Sequence, residues 1–97
     1  MTLPELHEGL LDAALLDALF ADVEATGALL AVVLKRGRQA DAARGRASLA
    51  EAREALRAGR ALGVQLRYRH DGQEWWDTIM GAGSGTWRLV RIAHPAE

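Results

Sequence analysis

The chain predicts an α+β fold: an N-terminal helical segment, one strand, one helix, then a three-stranded antiparallel meander, with the helices packed on one sheet face. Three observations lead there. The last third alternates apolar and polar residues around Asp71-Gly72 and a glycine-rich "GAGSG", which is the period of half-buried strands punctuated by turns. "TLPE" and "SLAE" each place a hydroxyl residue three positions before a glutamate, the pattern of a capped helix start. Finally, 97 residues with 49% apolar content are enough for one domain over 1–97 with a thin core.

The first helical segment is expected to start with Thr2 as N-cap and Glu5 reaching back, with Pro4 in the tolerated first turn. Leu3, Leu6 and Leu10 share one side of it, whereas Leu15, Leu16, Leu19, Phe20 and Val23 form a stripe on roughly the opposite side. One straight helix cannot bury both stripes against a single sheet. Either Asp12 caps a second helix over about 13–25, or one long helix contacts two surfaces; Thr26-Gly27 supplies the stop.

"ALLAVVLKRG" (28–37) is short, apolar and β-branched at its centre, and its length and preceding glycine favour a strand over more helix. "RGRQADAARGR" (36–46) has no apolar period and reads as a mobile loop. Ser48 and Glu51 then open a helix to about Ala58, ended by Gly59, with Leu49, Ala52, Ala55 and Leu56 as its apolar stripe.

The meander can be read as a pairing table. Asp-Gly favours a two-residue turn with positive φ at both centres, so His70 faces Gln73. Arg69 then faces Glu74, Tyr68 faces Trp75, Arg67 faces Trp76 and Val64 faces Ile79. Each is a favourable cross-strand pair. For the last strand, treating "GAGSG" as a flexible loop and pairing Met80 with Gly85 sets Asp77 opposite Arg88, Trp75 opposite Val90 and Glu74 opposite Arg91. One face then holds Val64, Leu66, Tyr68, Trp75, Ile79, Val90 and Ile92, with Asp77 and Arg88 among them. The other holds Gln65, Arg67, Arg69, Glu74, Trp76, Thr78, Trp87, Leu89 and Arg91.

Composition narrows the chemistry. There is no cysteine, hence no disulfide frame, thiolate metal site or cysteine nucleophile. No metal or other cofactor is expected, since His7, His70 and His94 lie at no metal-binding spacing. The N-terminus is acidic and no uncharged run is longer than Ala25 to Leu34, too short to span a bilayer; we expect a cytoplasmic protein without membrane contact. Residues 1–34 carry six acids and no Lys or Arg, while all twelve basic residues follow them. Such polarity marks either a surface for an anionic partner or two halves that neutralise one another.

Three functional readings follow. Trp76, Trp87 and Leu89 beside Arg67, Arg69 and Arg91 are too much apolar area to leave open without a reason. Trp and Arg dominate protein-binding hot spots, so the first reading is a non-enzymatic interaction module, a homodimer or a small accessory subunit. The second is single-stranded nucleic-acid binding, in which the Arg residues neutralise phosphates and the indoles stack on bases; the simpler alternative is that the Arg side chains lie over the indoles. The third is a small enzyme or ligand carrier with a pocket of Tyr68, Asp77 and Arg88. There, Asp77 is either a general acid or base or simply the ion-pair partner of Arg88.

Overall fold

The computed structural model describes residues 8–36, 39–43 and 46–94. The chain folds as β1 (Glu8–Leu11), α1 (Ala13–Ala25), β2 (Leu29–Arg36), β3 (Gln39–Ala43), α2 (Arg46–Arg57), β4 (Gly63–His70), β5 (Gln73–Gly83) and β6 (Thr86–His94). All pairings are antiparallel, in one six-stranded sheet of order β1-β6-β5-β4-β2-β3. The α+β class therefore holds, but the expected meander is only the middle of a wider sheet.

The conflict between the two leucine stripes resolves at Asp12. Its carboxylate accepts from the Leu15 amide at 2.8 Å and so caps α1. Before it, Glu8–Leu11 is an edge strand rather than helix, which corrects the single N-terminal helical segment. Leu10 and Leu11 consequently point to opposite sides: Leu11 is buried and Leu10 is 60% exposed. The expected cap at Thr2 and Glu5, with Leu3 and Leu6, lies outside the described residues. In α1, Leu16, Leu19, Phe20 and Val23 are buried, while Leu15 faces outward. Thr26 ends the helix, its hydroxyl donating to the Val23 carbonyl at 2.7 Å, and Gly27 turns away with φ +66°.

The segment read as a mobile loop in fact contributes the end of β2, the edge strand β3 and the start of α2. Gln39–Ala43 is held by backbone pairing to Val32–Arg36, and an alanine-rich strand of this kind leaves no alternation to detect. α2 begins at Arg46, so Ser48 sits within its first turn rather than before it. Its stripe is as expected, with Leu49, Ala52, Ala55 and Leu56 all buried. Past its end, Gly59 takes φ +73° and the Arg60 amide donates back to the Ala55 carbonyl at 2.8 Å.

Both helices cover the same side of the sheet. The core there joins Leu11, Leu16, Leu19, Phe20 and Val23 to Val32, Leu34, Val64, Leu66, Tyr68, Ile79, Trp87 and Leu89. Trp87 also donates its indole N–H to the Leu56 carbonyl at 3.3 Å. The same carbonyl also accepts from the Gly59 amide at 3.2 Å, and the indole contact ties β6 to α2.

The β4–β5 register is the expected one, from His70–Gln73 to Val64–Ile79. Asp71 and Gly72 both adopt positive φ at the turn. The β5–β6 register is not as expected. Asp77 pairs with Arg91, Ile79 with Leu89 and Met80 with Arg88, a shift of three residues. "GAGSG" is no open loop: β5 continues to Gly83, and the turn is the pair Ser84-Gly85 at φ +54° and +69°. Between Gly81 and Gly83 the ladder skips Ala82. One extra residue in one strand reverses which side chains point inward beyond it. Trp87, Leu89 and Arg91 therefore face the helices, and Arg88, Val90 and Ile92 face away.

Deleting Ala82 should turn the whole of β6 inside out, and the shortened chain should lose its cooperative thermal transition by circular dichroism. Ser84→Asn, which makes an Asn-Gly turn suited to the observed φ values, should instead leave stability unchanged or raise it by up to about 1 kcal/mol.

Candidate functional site

The chemically dense stretch 66–80 splits between the two sides of the sheet. On the helix side, β4 supplies Tyr68, β5 supplies Asp77 and β6 supplies Arg91. Arg91 grips the carboxylate side-on, with Nε to Oδ1 at 2.8 Å and Nη2 to Oδ2 at 2.8 Å. The Tyr68 hydroxyl donates to the same Oδ2 at 2.9 Å. Tyr68 and Asp77 are 0% exposed and Arg91 4%.

The expected pocket of Tyr68, Asp77 and Arg88 is thus corrected in one member. Tyr68 and Asp77 do meet, but Arg88 is exposed on the opposite side and Arg91 takes its place, because the bulge at Ala82 changed the parity. Burial is the main reason the Tyr68 phenol is raised well above its ordinary value, and the Asp77 charge adds to it, outweighing the opposing Arg91. Burial works against the Arg91 cation. The hydrogen bonds and charge of Asp77 outweigh that and raise its pKa further. Both carboxylate oxygens are occupied and the group is closed to water, so the arrangement suits a structural clamp rather than proton transfer to a substrate.

On the other side, Arg67, Arg69 and Trp76 lie together as expected. The Arg67 guanidinium sits 4.1 Å above the Trp76 ring centre, and His94 stacks on the same indole at 4.4 Å with planes 8° apart. The indole N–H donates to Glu74 Oε2 at 2.7 Å. Glu74 also lies 3.9 Å from Arg69. Arg67 Nε donates to Gln65 Oε1 at 2.8 Å, and Gln65 Nε2 to Thr78 Oγ1 at 3.2 Å. The Arg-over-indole alternative is therefore realised at Trp76, in an arrangement worth about 0.5–1 kcal/mol at an exposed position.

Three residues expected beside them are elsewhere: Trp87, Leu89 and Arg91 are buried under the helices. A stacking platform for single-stranded nucleic acid loses one of its two indoles and one of its three arginines by that change. Arg67 and His94 also stack on the remaining indole.

The sequence reading missed what replaced them. Alternation places Leu10, Met80, Val90 and Ile92 on the open side, next to Trp76. Leu10, Met80 and Ile92 are 60%, 52% and 57% exposed. Part of the signal was present in Ser84-Gly85, a second pair suited to positive φ, which sets β6 four residues further along than an open loop does; the bulge at Ala82 takes one back and reverses the parity. A cleft of about 230 Å³ between α1 and α2, lined by Phe20, Glu24, Leu49 and Arg53, is smaller than ordinary ligand sites of roughly 300–1,000 Å³. Among the described residues no helix is long and apolar enough to cross a membrane.

Asp77→Ala should destabilise by about 3–5 kcal/mol in chemical denaturation, because it strands the Arg91 cation in the core. Tyr68→Phe should cost about 1–3 kcal/mol. Replacing all three by apolar residues, as Tyr68→Phe, Asp77→Leu and Arg91→Met together, should cost less than Asp77→Ala alone. Tyr68 is the sole tyrosine, which makes its titration legible. Its pKa in the fold lies above the unfolded value of about 10, so its contribution is complete below that pH and is lost as pH rises further. Phenolate absorbance should therefore appear together with unfolding and not ahead of it.

No family model, curated protein or solved structure matches this chain.

Proposed function

We propose that this chain is a non-enzymatic protein-interaction module whose docking surface is the open side of its sheet. One observation carries the reading: Leu10, Met80 and Ile92, each more than half exposed, share that side with the part-buried Val90 and Trp76. They cluster on the three adjacent strands β1, β6 and β5. Exposed apolar residues scattered singly need no explanation, but a contiguous patch on a sheet does.

The polar neighbours suit a rim. Arg67, Arg69, Glu74, Gln65 and Thr78 already satisfy one another through the contacts described above, so they frame the patch at little desolvation cost to a partner. The arrangement is that of an interface, with an apolar centre and a polar border that holds an aromatic and an arginine. Oligonucleotide binding is the weaker reading, because the open side offers a single indole.

Met80→Glu and Ile92→Glu test the reading through stability and surface chemistry. Each should change unfolding free energy by no more than about 0.5 kcal/mol, as surface substitutions do, and together they should abolish binding of an apolar fluorescent dye. A loss of more than about 2 kcal/mol would mean that the chain covers these side chains itself, and the docking surface would not exist.

A further inference from the structure

We infer that the occupant of the open sheet face is a second copy of this chain, packed face to face across a twofold axis near β5 and β6. This rests on the reading of that face as a docking surface. The position of the axis follows from where the patch lies. Leu10 on β1, Val90 and Ile92 on β6, and Met80 and Trp76 on β5 form its apolar part. β4 contributes Gln65, Arg67 and Arg69 instead, and β2 Lys35 beside the part-buried Ala31 and Val33.

Area argues for a whole sheet as the partner. Five strands at about 4.8 Å spacing, each about six residues long at about 3.3 Å, give a footprint of roughly 500 Å² per copy. Two copies bury about 1,000 Å² before side-chain relief is added, which is where specific interfaces begin. A single docked helix or peptide would leave much of that five-strand face, its polar border above all, wet. Sheets meeting on their apolar sides also reproduce the usual packing of two sheets in a sandwich.

Charge argues for a copy rather than for a strongly charged partner. The chain carries a net charge of −1, so long-range repulsion between two copies is small, and the excess of bases on the face must be met by its acids. The face itself bears both signs: Glu8 and Glu74 against Lys35, Arg67, Arg69 and Arg88. A twofold axis turns one copy over and offers its acids to bases of the other. A partner of one dominant sign would meet like charges somewhere on this surface. An interface near the lower size limit dissociates on dilution, so self-association is expected to depend visibly on concentration.

The test pairs sedimentation equilibrium up to millimolar protein with the rate of peroxide oxidation of Met80, measured by mass spectrometry against the unfolded chain. The inference predicts a reversible dimer in which Met80 is protected in proportion to dimer content. Ile92→Glu should raise the dissociation constant at least about tenfold. Leu62→Glu, which alters an equally exposed leucine off the sheet face, should leave it unchanged. A dimer whose Met80 oxidises as fast as in the unfolded chain would overturn the inference, since the copies would then meet elsewhere. A monomer with fast-oxidising Met80 would also overturn it, while leaving the face open for a different protein. A monomer with protected Met80 would sink both this inference and the docking-surface reading.

Discussion

A carboxylate with no access to water must be paired, and at Asp77 that requirement fixes the sheet. Its side chain is fully buried beneath two helices, where an unpaired charge costs several kcal/mol. Sliding β6 by one residue brings Val90 or Ile92 opposite it, and by two brings Leu89 or Ala93. None of these offers a donor. A slide of three would bring Arg88 opposite instead, so pairing excludes the nearer registers, and the observed offset supplies the side-on grip of Arg91, with Tyr68 completing the set from β4. An apolar trio of the same volume could match this cluster in stability, so its value lies in excluding the neighbouring registers.

The same choice decides what the outside of the protein looks like. β6 reads Trp-Arg-Leu-Val-Arg-Ile from 87 to 92, and its two alternating sets are nearly equivalent, each with two large apolar residues and one arginine. Burying Arg91 with Asp77 carries Trp87 and Leu89 inward and leaves Val90 and Ile92 on the open side. The exposed patch is thus the counterpart of the buried ion pair. A sequence selected only for a monomeric fold could replace Val90 and Ile92 by polar residues without touching the core. Their apolar character is what makes the open side read as a surface built to be covered.

This near-equivalence also explains what the sequence could and could not convey. The β4–β5 hairpin was legible because Asp71-Gly72 selects one turn geometry and every cross-strand pair agrees with it. The buried faces of α1 and α2 were legible from their periods, and Asp12 was readable as a helix start. The parity of β6 was not legible from hydrophobicity, since both sets score alike; it depended on a single bulged residue, Ala82, inside a glycine-rich stretch that resembles a loop. β1 and β3 were missed for a related reason. Four residues at one edge and an alanine-rich five at the other are strands because a neighbouring backbone pairs with them, and their own patterns say little. At the candidate site, Arg67 and Trp76 were placed correctly because they lie on the well-determined hairpin. Trp87, Leu89 and Arg91 were misplaced because they lie beyond the bulge.

The register of the last strand can be read directly by nuclear Overhauser contacts between the backbones of β5 and β6 in solution. Cross-strand contacts linking Asp77 to Arg91 and Ile79 to Leu89 are expected, with Val90 and Ile92 on the side away from the helices. Contacts from Asp77 to Arg88 would contradict the buried clamp, return Trp87 to the outer side and remove the apolar patch from which the interaction surface was argued.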